Sequence, residues 1–386
     1  MNTYAAALSV HPIPVEAVGG VAAEILERFD GERPDLLVCF TSPHHVGAFE
    51  DIASGLARLL EPEAFIGATA GAVAGTGREV EGQPALSVFA ASFGGGHASA
   101  FSLQAVETGD GFAITGWPDA LPDHGTLLLL ADPFSFPVTD FLRLCNEQVP
   151  GLTVVGGLAS AAAGLGGNRL TCDGRVTVEG AVAVLLDDDV AVRTVVSQGC
   201  RPIGQPFTVT KSERNVVTEL AGQSAISRLQ EVAAALPDDE RMLLRNGLHV
   251  GVVVDEHQID FGRGDFLVRN LLGADERTGG LAVGEFVDVG QTVQFQVRDA
   301  SAADEDLRVL LRNVSGDGAL LFTCNGRGTH LFGTPGHDAG VVEERLGPVP
   351  LAGAFCAGEI GPVGGRNFLH GFTASLVVFG ATTHLD

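Results

Sequence analysis

The segment Cys324-Asn325-Gly326-Arg327-Gly328 places a thiol, an amide and a guanidinium in a glycine-rich turn after an apolar run. An arginine binds a carboxylate through two parallel hydrogen bonds, and glycines let the backbone approach a ligand closely. In open α/β sheets, ligands bind beyond the carboxyl ends of strands, where this turn is predicted to lie. Arg327 is therefore a candidate for holding a ligand carboxylate. The alternative is a turn whose arginine caps a helix or pairs with an acid of the protein.

The thiol of Cys324 has two possible roles, a nucleophile or a small packed side chain. As a nucleophile it needs a neighbouring base that lowers its pKa. His330 and His337 are close in sequence, but nothing in the sequence places either beside the thiol. A small packed thiol is the favoured interpretation, and an enzyme that uses Cys324 is the alternative. The chain contains no Walker loop, G-x-S-x-G elbow or H-E-x-x-H motif, which lowers the expectation of an enzyme.

A second polar group follows in the last glycine-rich segment. Glu359 stands among apolar residues and glycines, where a carboxylate must find a partner or change its pKa. It is predicted either to bind the ammonium of a ligand or to pair with Arg366. Asn367 and His370 follow, and a hydrogen-bonded structural role is favoured for His370. We expect Cys324, Asn325, Arg327, Glu359 and Arg366 to converge on one pocket, with Gly326, Asn367, Arg269 and Asn270 completing the ligand-binding set.

The other polar candidates lie in or beside apolar strands. Arg201, Arg269 and Asn270 are expected either to line the same cleft or to form salt bridges between domains. His249 and His257 flank an apolar strand, and either would serve as an axial haem ligand, although no haem motif accompanies them. The pair His44-His45 is adjacent in sequence, so a metal role is not expected there.

Three glycine-rich blocks interrupt the chain, and their context is the same each time. Each follows a short apolar strand and is preceded further upstream by another strand and a helical pattern. Each ends at an arginine before a further apolar run. The predicted unit is strand, helix, strand, glycine-rich turn, strand, and the three blocks should occupy equivalent positions that each join two neighbouring strands. The blocks begin at Gly67, Gly156 and Gly353 and end at Arg78, Arg169 and Arg366.

The elements around the blocks indicate the fold class. Residues 36–40 and 127–130 are continuous apolar runs typical of buried strands, and residues 223–236 predict a helix before a β-rich stretch. The acids at 304–306 are predicted to open another helix. Predicted strands and helices alternate in part of the chain, and strands cluster in another part. This arrangement favours an α/β (α+β) fold of mixed β-sheets with outer helices, in two domains. A layered α-β-β-α sandwich is one arrangement that fits.

Composition excludes several classes of protein. The 386 residues are 45% apolar and 18% charged, which is typical of a globular chain with room for two domains. A net charge of −25 argues against nucleic-acid and anionic-membrane partners. No run of about twenty apolar residues and no signal-peptide pattern is present, so the chain is expected to be cytoplasmic. The six cysteines lack C-x-x-C spacing, so packed thiols are expected and no metal site is.

Together these segments resemble the FIST proteins, intracellular signal-transduction domains found in bacteria and beside F-box segments in eukaryotes. The first half is similar to a FIST N domain at Gly67-Ala68-Thr69-Ala70-Gly71 and Gly156-Gly157-Leu158-Ala159-Ser160. The second half is similar to a FIST C domain at Cys324-Asn325-Gly326-Arg327-Gly328 and Gly358-Glu359-Ile360-Gly361-Pro362. The resemblance covers nearly the whole chain. It implies an N-terminal segment (1–30), a FIST N domain (31–220) and a FIST C domain (221–386).

The resemblance also implies a function. The family is thought to sense small ligands, so we expect a polar ligand, with an amino acid favoured, bound between the FIST N and FIST C halves. Some members are reported as haem-binding nitric oxide sensors, which makes haem the alternative cofactor; otherwise none is expected. No kinase, cyclase, receiver or F-box motif is present, so an output would require a separate signalling protein.

Overall fold

The computed structural model describes residues 2–109, 111–118, 122, 124–258 and 260–380. The chain forms two compact units. Unit 1 comprises the described residues of Met1–Val196, Leu307–Leu369 and Thr373–Asp386, and unit 2 those of Ser197–Asp306 and His370–Phe372. Unit 2 is therefore inserted into the sequence of unit 1. The division does not follow the boundary expected at residue 220, and the N-terminal segment 1–30 belongs to unit 1.

Unit 1 begins with a long alternation of strands and helices, and a 3-10 turn, Pro43–Ala48, precedes its second helix. The elements are, in chain order, β1 (Thr3–Ser9), α1 (Pro14–Arg28), β2 (Leu36–Thr41), α2 (Phe49–Leu60), β3 (Ala64–Thr69), β4 (Ala72–Gly75), β5 (Arg78–Glu81), β6 (Leu86–Ser92), β7 (Ala98–Thr108), β8 (Gly111–Thr115), β9 (Gly125–Ala131), α3 (Val138–Gln148), β10 (Leu152–Leu158), β11 (Leu170–Cys172), β12 (Arg175–Thr177), β13 (Ala181–Leu186) and β14 (Val192–Gln198).

Unit 2 is rich in strands, and the chain then returns to unit 1 through a helix. The elements of unit 2 are β15 (Cys200–Pro202), β16 (Phe207–Glu213), β17 (Val216–Leu220), β18 (Gln223–Ser224), α4 (Ala225–Ala235), α5 (Asp238–Asn246), β19 (Leu248–Val253), a 3-10 turn (Arg263–Asp265), β20 (Phe266–Asp275), β21 (Gly280–Val283) and β22 (Thr292–Arg298). The return is made by α6 (Ala300–Leu310), β23 (Gly318–Cys324), α7 (Gly328–Phe332), α8 (His337–Leu346), β24 (Leu351–Cys356), β25 (Glu359–Val363), β26 (Arg366–His370) and β27 (Thr373–Phe379).

Unit 1 contains one structural repeat three times. In each repeat a strand, a helical connection and a parallel strand follow one another: β2 and β3, β9 and β10, β23 and β24. A later strand (β6, β13 or β27) pairs antiparallel with the first of the two. The predicted order of strand, helix, strand, glycine block and strand is confirmed. The prediction missed one element, since each block leads into a two-stranded hairpin before the last strand.

Each hairpin is donated to the sheet of another repeat. Strand β4 of the first repeat pairs with β24 of the third, β11 of the second pairs with β3 of the first, and β25 of the third pairs with β10 of the second. The exchange is cyclic, so the glycine blocks carry the chain from one sheet to the next. The prediction that each block joins two neighbouring strands is therefore wrong. The strand orders are β1-β6-β2-β3-β11-β12, β26-β25-β10-β9-β13-β7-β8 and β14-β27-β23-β24-β4-β5.

The arginines that end the blocks are equivalent in two cases only. Arg78 and Arg366 are the first residues of β5 and β26, the second strands of their hairpins. The residue at this position in the second repeat is Arg175, the first residue of β12. Arg169, which the sequence suggested, precedes the hairpin instead.

The inner faces of the three sheets share one hydrophobic core. Phe40 of β2 packs edge-on against Phe322 of β23, with ring centroids 5.9 Å apart, and Phe89 of β6 stacks on Phe379 of β27 at 5.2 Å. Leu128 of β9 belongs to the same buried cluster. Helices α1 and α2, α3, and α6 with α8 cover the outer faces. Mixed sheets with outer helices are thus confirmed, and three sheets, not the two of a sandwich, enclose the core.

A glycine lies at the same register position in all three repeats. Gly67, Gly156 and Gly353 each stand opposite a residue of the parallel strand beside them, Cys39, Leu129 and Leu321 respectively. A Cβ added at any of the three would lie less than 3.0 Å from the carbonyl oxygen of that partner. Real Cβ atoms avoid such distances, so glycine is required wherever the paired strands approach this closely. The equivalence predicted for the three blocks is therefore confirmed.

We expect Gly353→Ala to lower the free energy of unfolding by about 1–3 kcal/mol, because the new methyl group collides with rigid backbone. The matched control is Gly19→Ala in α1, where an added Cβ meets nothing within 4 Å. The control should be neutral or stabilising by about 0.4–1 kcal/mol. Urea denaturation of both variants measures the difference. Equal stability changes in the two would contradict the packing role.

Unit 2 is built on a strand barrel. Strands β22, β16, β17, β21, β20 and β19 follow one another, and β19 pairs again with β22, which closes the ring. The predicted β-rich stretch and the helix before it are confirmed. The prediction for residues 304–306 is wrong, since α6 begins at Ala300 and Asp299 accepts the Ala302 N–H at 3.1 Å at its start. Asp306 instead accepts hydrogen bonds from Ser197 Oγ and Gln198 N.

Candidate functional site

The turn after β23 brings the predicted arginine to the carboxyl end of two parallel strands. The Arg327 N–H donates to the Cys324 carbonyl at 2.8 Å, which closes the turn. The Asn325 N–H donates to the Cys356 carbonyl at 2.9 Å, which ties the turn to β24. Asn325 is exposed at the tip of the turn, whereas the Arg327 side chain is fully buried. The location beyond the strand ends agrees with the prediction.

Arg327 pairs with an acid of the protein. Its Nε and Nη2 donate to the two carboxylate oxygens of Asp338 at 2.7 and 2.8 Å. Thr323 Oγ1 donates to the same carboxylate at 2.6 Å, and His337 Nδ1 lies 3.0 Å from it. Burial opposes ionisation, but the Arg327 charge and these hydrogen bonds hold the pKa of Asp338 well below its usual range. The edge of the guanidinium formed by Nε and Nη2 is therefore occupied by Asp338.

Glu359 is fully buried at the start of β25. Its Oε2 accepts the Thr373 N–H at 3.1 Å and the Thr373 hydroxyl at 2.8 Å. Burial raises the pKa of Glu359 to about 8, against the opposing effects of Thr373, the Arg327 charge and the Cys324 thiol. The carboxyl group is thus mostly protonated at neutral pH, and the predicted pairing with Arg366 is not formed.

A second buried glutamate, Glu79, was not among the residues predicted from the sequence. Glu79 lies on β5, and its Oε1 accepts the Ala339 N–H at 3.1 Å. Burial and the neighbouring Asp338 charge raise the pKa of Glu79 to about 7. The acid beside Arg78 in the first glycine block was the available signal. Only the exchange of the β4–β5 hairpin brings it to the third repeat, and no local pattern reports that exchange.

Glu79, Arg327, Asp338 and Glu359, here named the Arg327 cluster, hold unused hydrogen-bonding capacity. Arg327 Nη1, Glu359 Oε1 and Glu79 Oε2 are buried and make no hydrogen bond of ordinary geometry with the part of the chain that the structure describes. The Arg327 charge acts on both glutamates. Buried polar atoms are nearly always paired in native proteins, so three in one cluster suit a site for a polar ligand.

Two predicted residues lie outside this cluster. Arg366 is exposed, with its guanidinium 5.7 Å from the Phe368 ring, so the predicted convergence is wrong for this residue. Asn367 has a structural role: its Nδ2 donates to the Leu152 carbonyl and its Oδ1 accepts the Val154 N–H, both at 2.8 Å. These bonds attach β26 to the beginning of β10.

Cys324 lies beside the cluster, and its thiol is buried. Its sulfur accepts the Gly326 N–H at 3.4 Å, and the nearby Glu359 is mostly protonated at neutral pH. Of the two histidines considered, His330 is exposed. His337 contacts Asp338 and stacks on Phe332. All six cysteines are buried thiols, as the sequence indicated.

The remaining candidates belong to unit 2. Arg201 pairs with Asp299 at 3.0 Å and Glu240 at 3.4 Å, and Arg269 pairs with Glu285. Asn270 is exposed on β20. Both arginines therefore make ion pairs within unit 2.

The histidines fit haem poorly. His257 is exposed in the turn after β19. His249 is buried, but a Cβ added at Gly247 would lie 3.0 Å from His249 Nε2 and 3.3 Å from Arg298 Cδ. Backbone and side chain thus fill the space that a porphyrin would need next to this nitrogen. Over the described residues, no group of three His, Cys, Asp or Glu side chains is placed to hold a metal ion.

None of the described helices is both long and apolar enough to cross a membrane.

Comparison with known proteins agrees with the resemblance seen in the sequence. Residues 35–223 match the FIST N domain and residues 225–362 match the FIST C domain. The uncharacterized protein Rv0628c of Mycobacterium tuberculosis is 45% identical over 378 residues, which cover 96% of this chain and 98% of the relative. The uncharacterized protein Mb0898c of Mycobacterium bovis is 45% identical over 371 residues, covering 95% and 94%. FIST domains are associated with signal transduction and with proposed sensing of small ligands. The chain belongs to the FIST family.

Proposed function

We propose that this protein is a cytoplasmic sensor that binds a small polar ligand at the Arg327 cluster and passes the signal to a separate protein. One observation carries the proposal: three polar atoms without a hydrogen bond of ordinary geometry to the described residues lie on side chains that are at most 7% exposed. Glu79 comes from the FIST N half of the sequence, and the other three members come from the FIST C half. A ligand at the cluster would therefore contact both halves within unit 1.

An amino acid is the ligand class that the cluster matches best. Arg327 Nη1 is a donor for one carboxylate oxygen of the ligand, since Asp338 occupies the other edge. Glu359 and Glu79 would accept the ligand ammonium, which favours their ionised forms. Binding at neutral pH should then release a proton from Glu359, whose pKa is about 8 in the free protein. A simple carboxylate ligand would instead favour the protonated glutamates.

The cluster is closed to solvent, so binding must be coupled to a conformational change. Arg327, Asp338 and Glu359 are fully buried, and the turn next to Arg327 is exposed at Asn325. A ligand would reach the cluster by opening this turn, which two backbone hydrogen bonds hold in place. A ligand that binds only the open form shifts the population toward it. Such a shift is what a sensor needs.

A thermal-shift screen of the twenty amino acids, small carboxylates and haem tests the proposal. At least one amino acid should raise the melting temperature, because a ligand that binds only the folded state stabilises it. Calorimetry in buffers of different ionisation enthalpy should then show proton release at pH 7. Glu359→Gln should weaken binding about tenfold to a hundredfold, since a charge-assisted hydrogen bond contributes roughly 1.5–3 kcal/mol.

Arg366→Ala is the matched control for the screen. It changes a charged residue of the same glycine block that lies exposed on β26, and it should leave the affinity unchanged. An amino acid that binds both variants equally well would remove Glu359 from the site. A Soret band without any response to amino acids would favour the haem alternative.

A further inference from the structure

Unit 2 contains a second group of buried polar side chains, which the proposed function does not use. Strand β19 lies between β22 and β20. His249 on β19 is directly opposite Gln296 on β22 and, on the other edge of β19, directly opposite Asn270 on β20. Residues directly opposite each other in neighbouring strands present their side chains to the same face. His249 and Gln296 therefore form a buried polar row, with the exposed Asn270 beside it. Gln198 is counted with the row, since its Nε2 donates to the Phe266 carbonyl of the same strand, β20, at 2.8 Å. The opposite face of these strands contributes Val250, Phe295 and Val297 to the apolar core.

The row has more hydrogen-bonding capacity than the protein uses. His249 and Gln296 are 5% and 1% exposed, and so is Gln198 at 3%. Both amide atoms of Gln296 and Oε1 of Gln198 make no hydrogen bond of ordinary geometry with the described residues. His249 is not counted with them, because Asn270 hydrogen-bonds its imidazole. Leaving buried donors and acceptors unpaired destabilises a fold. Three such atoms on two buried glutamines indicate a site that is completed by another molecule.

The neighbouring glutamine shows the contrast. Gln294 lies two residues from Gln296 on the same strand and face and is 7% exposed. Its Nε2 donates to the Gly204 carbonyl at 2.8 Å, so this amide is used within the barrel. Burial alone therefore does not explain why the Gln296 amide lacks a hydrogen-bond partner, since the buried amide of Gln294 has one.

The chemistry of the row points to an uncharged partner. Burial and the neighbouring Arg298 charge lower the pKa of His249 to about 4, although Asn270 opposes the shift. The imidazole is thus neutral at physiological pH and offers one donor and one acceptor. The amide of Gln296 also offers both kinds, and Gln198 adds an acceptor. None of the three side chains, His249, Gln296 and Gln198, carries a charge that an ionic ligand could neutralise at physiological pH.

Flat groups border the row. The Phe372 ring lies 4.2 Å from the imidazole of His249, measured between centroids, and the Arg298 guanidinium lies 5.0 Å from the centroid of the Phe372 ring. Phe372 has a φ of 63°, which is costly for an aromatic residue. Aromatic rings and guanidinium planes stack readily on other flat molecules.

We propose that Gln296 and Gln198, beside the neutral His249, bind an uncharged, flat molecule that carries both donors and acceptors, such as a nitrogen heterocycle or a carboxamide. This goes beyond the proposed function, since it concerns another group of residues and another class of ligand.

The test uses adenine, uracil and nicotinamide as probes of the full-length protein. Saturation-transfer NMR should detect binding of at least one probe, and calorimetry should give its affinity. Gln296→Met removes both polar atoms at similar shape, so it should weaken that probe at least tenfold. The melting temperature of the free variant should equal or exceed that of the wild type, because two unpaired atoms have been removed. A purely structural glutamine would lower the melting temperature instead.

Gln294→Met is the matched control on the same strand. It breaks a formed hydrogen bond, so it should lower the melting temperature and leave the probe affinity within twofold. The proposal is overturned if none of the three probes binds the wild type. It is equally overturned if Gln296→Met lowers the melting temperature as much as Gln294→Met does. A Soret band with added haem that His249→Phe abolishes would also overturn it, since the partner would then be haem.

Discussion

Arg327→Ala should lower the free energy of unfolding by about 3–5 kcal/mol, the cost typical of removing one partner of a buried ion pair. The substitution leaves the Asp338 carboxylate fully buried without its bidentate partner. It also removes the contact of the guanidinium with the Phe332 ring, 5.3 Å away. Urea denaturation followed by circular dichroism measures the loss. Arg366→Ala is the control, since this arginine is exposed and its removal should change stability by less than about 0.5 kcal/mol.

A second variant separates loss of the pair from loss of packing. In Arg327→Met with Asp338→Leu, neither charge is left, and well-packed apolar replacements of buried ion pairs are often neutral or stabilising. The double variant should therefore be clearly more stable than Arg327→Ala. If Arg327→Ala is as stable as the wild type and loses only its response to a ligand, Arg327 is a ligand-binding residue, which is one of the two interpretations of the sequence.

The fold could be predicted from the sequence where local patterns determine it. Continuous apolar runs such as residues 36–40 mark strands that are buried on both faces, and the glycine blocks mark the three repeats. The hairpin exchange could not be predicted, because β4 pairs with β24 more than 270 positions later in the chain. The insertion of unit 2 was hidden for the same reason, since its boundaries lie within a strand and a helix.

The candidate site was predicted in part. Arg327, Cys324 and Glu359 were identified because polar residues in apolar, glycine-rich segments require a special environment, and the structure places them beside one another. The sequence did not reveal that Asp338 would occupy the guanidinium, because this depends on where α8 begins. Asn367 was predicted to bind the ligand, but its side-chain amide hydrogen-bonds the backbone of β10, as a neighbouring strand would. The type of residue is visible in a sequence, whereas its partner depends on tertiary structure.

Glu359→Gln should flatten the pH dependence of stability. The folded pKa of Glu359, about 8, lies above its unfolded value of 4.5. Between these values the folded state holds a proton that the unfolded state has released, so folding stability falls as pH rises through this window. A shift of this size corresponds to a loss on the order of 5 kcal/mol across the window, at about 1.36 kcal/mol per unit. Glutamine resembles the neutral form of the glutamate side chain and cannot ionise, so the variant does not lose this stability as the pH rises.

The expected result is a difference between variant and wild type that grows with pH. Near pH 4.5 the two should have similar free energies of unfolding, and near pH 8 the variant should be more stable by several kcal/mol, on the order of the pKa shift. Urea denaturation at half-unit steps of pH measures this. Glu79→Gln is the comparison, since its folded pKa of about 7 predicts the same sign with a smaller effect that is complete one unit earlier. A constant difference between Glu359→Gln and wild type across the window would show that Glu359 ionises normally. The unpaired Oε1 would then belong to a carboxylate that is charged in the folded state.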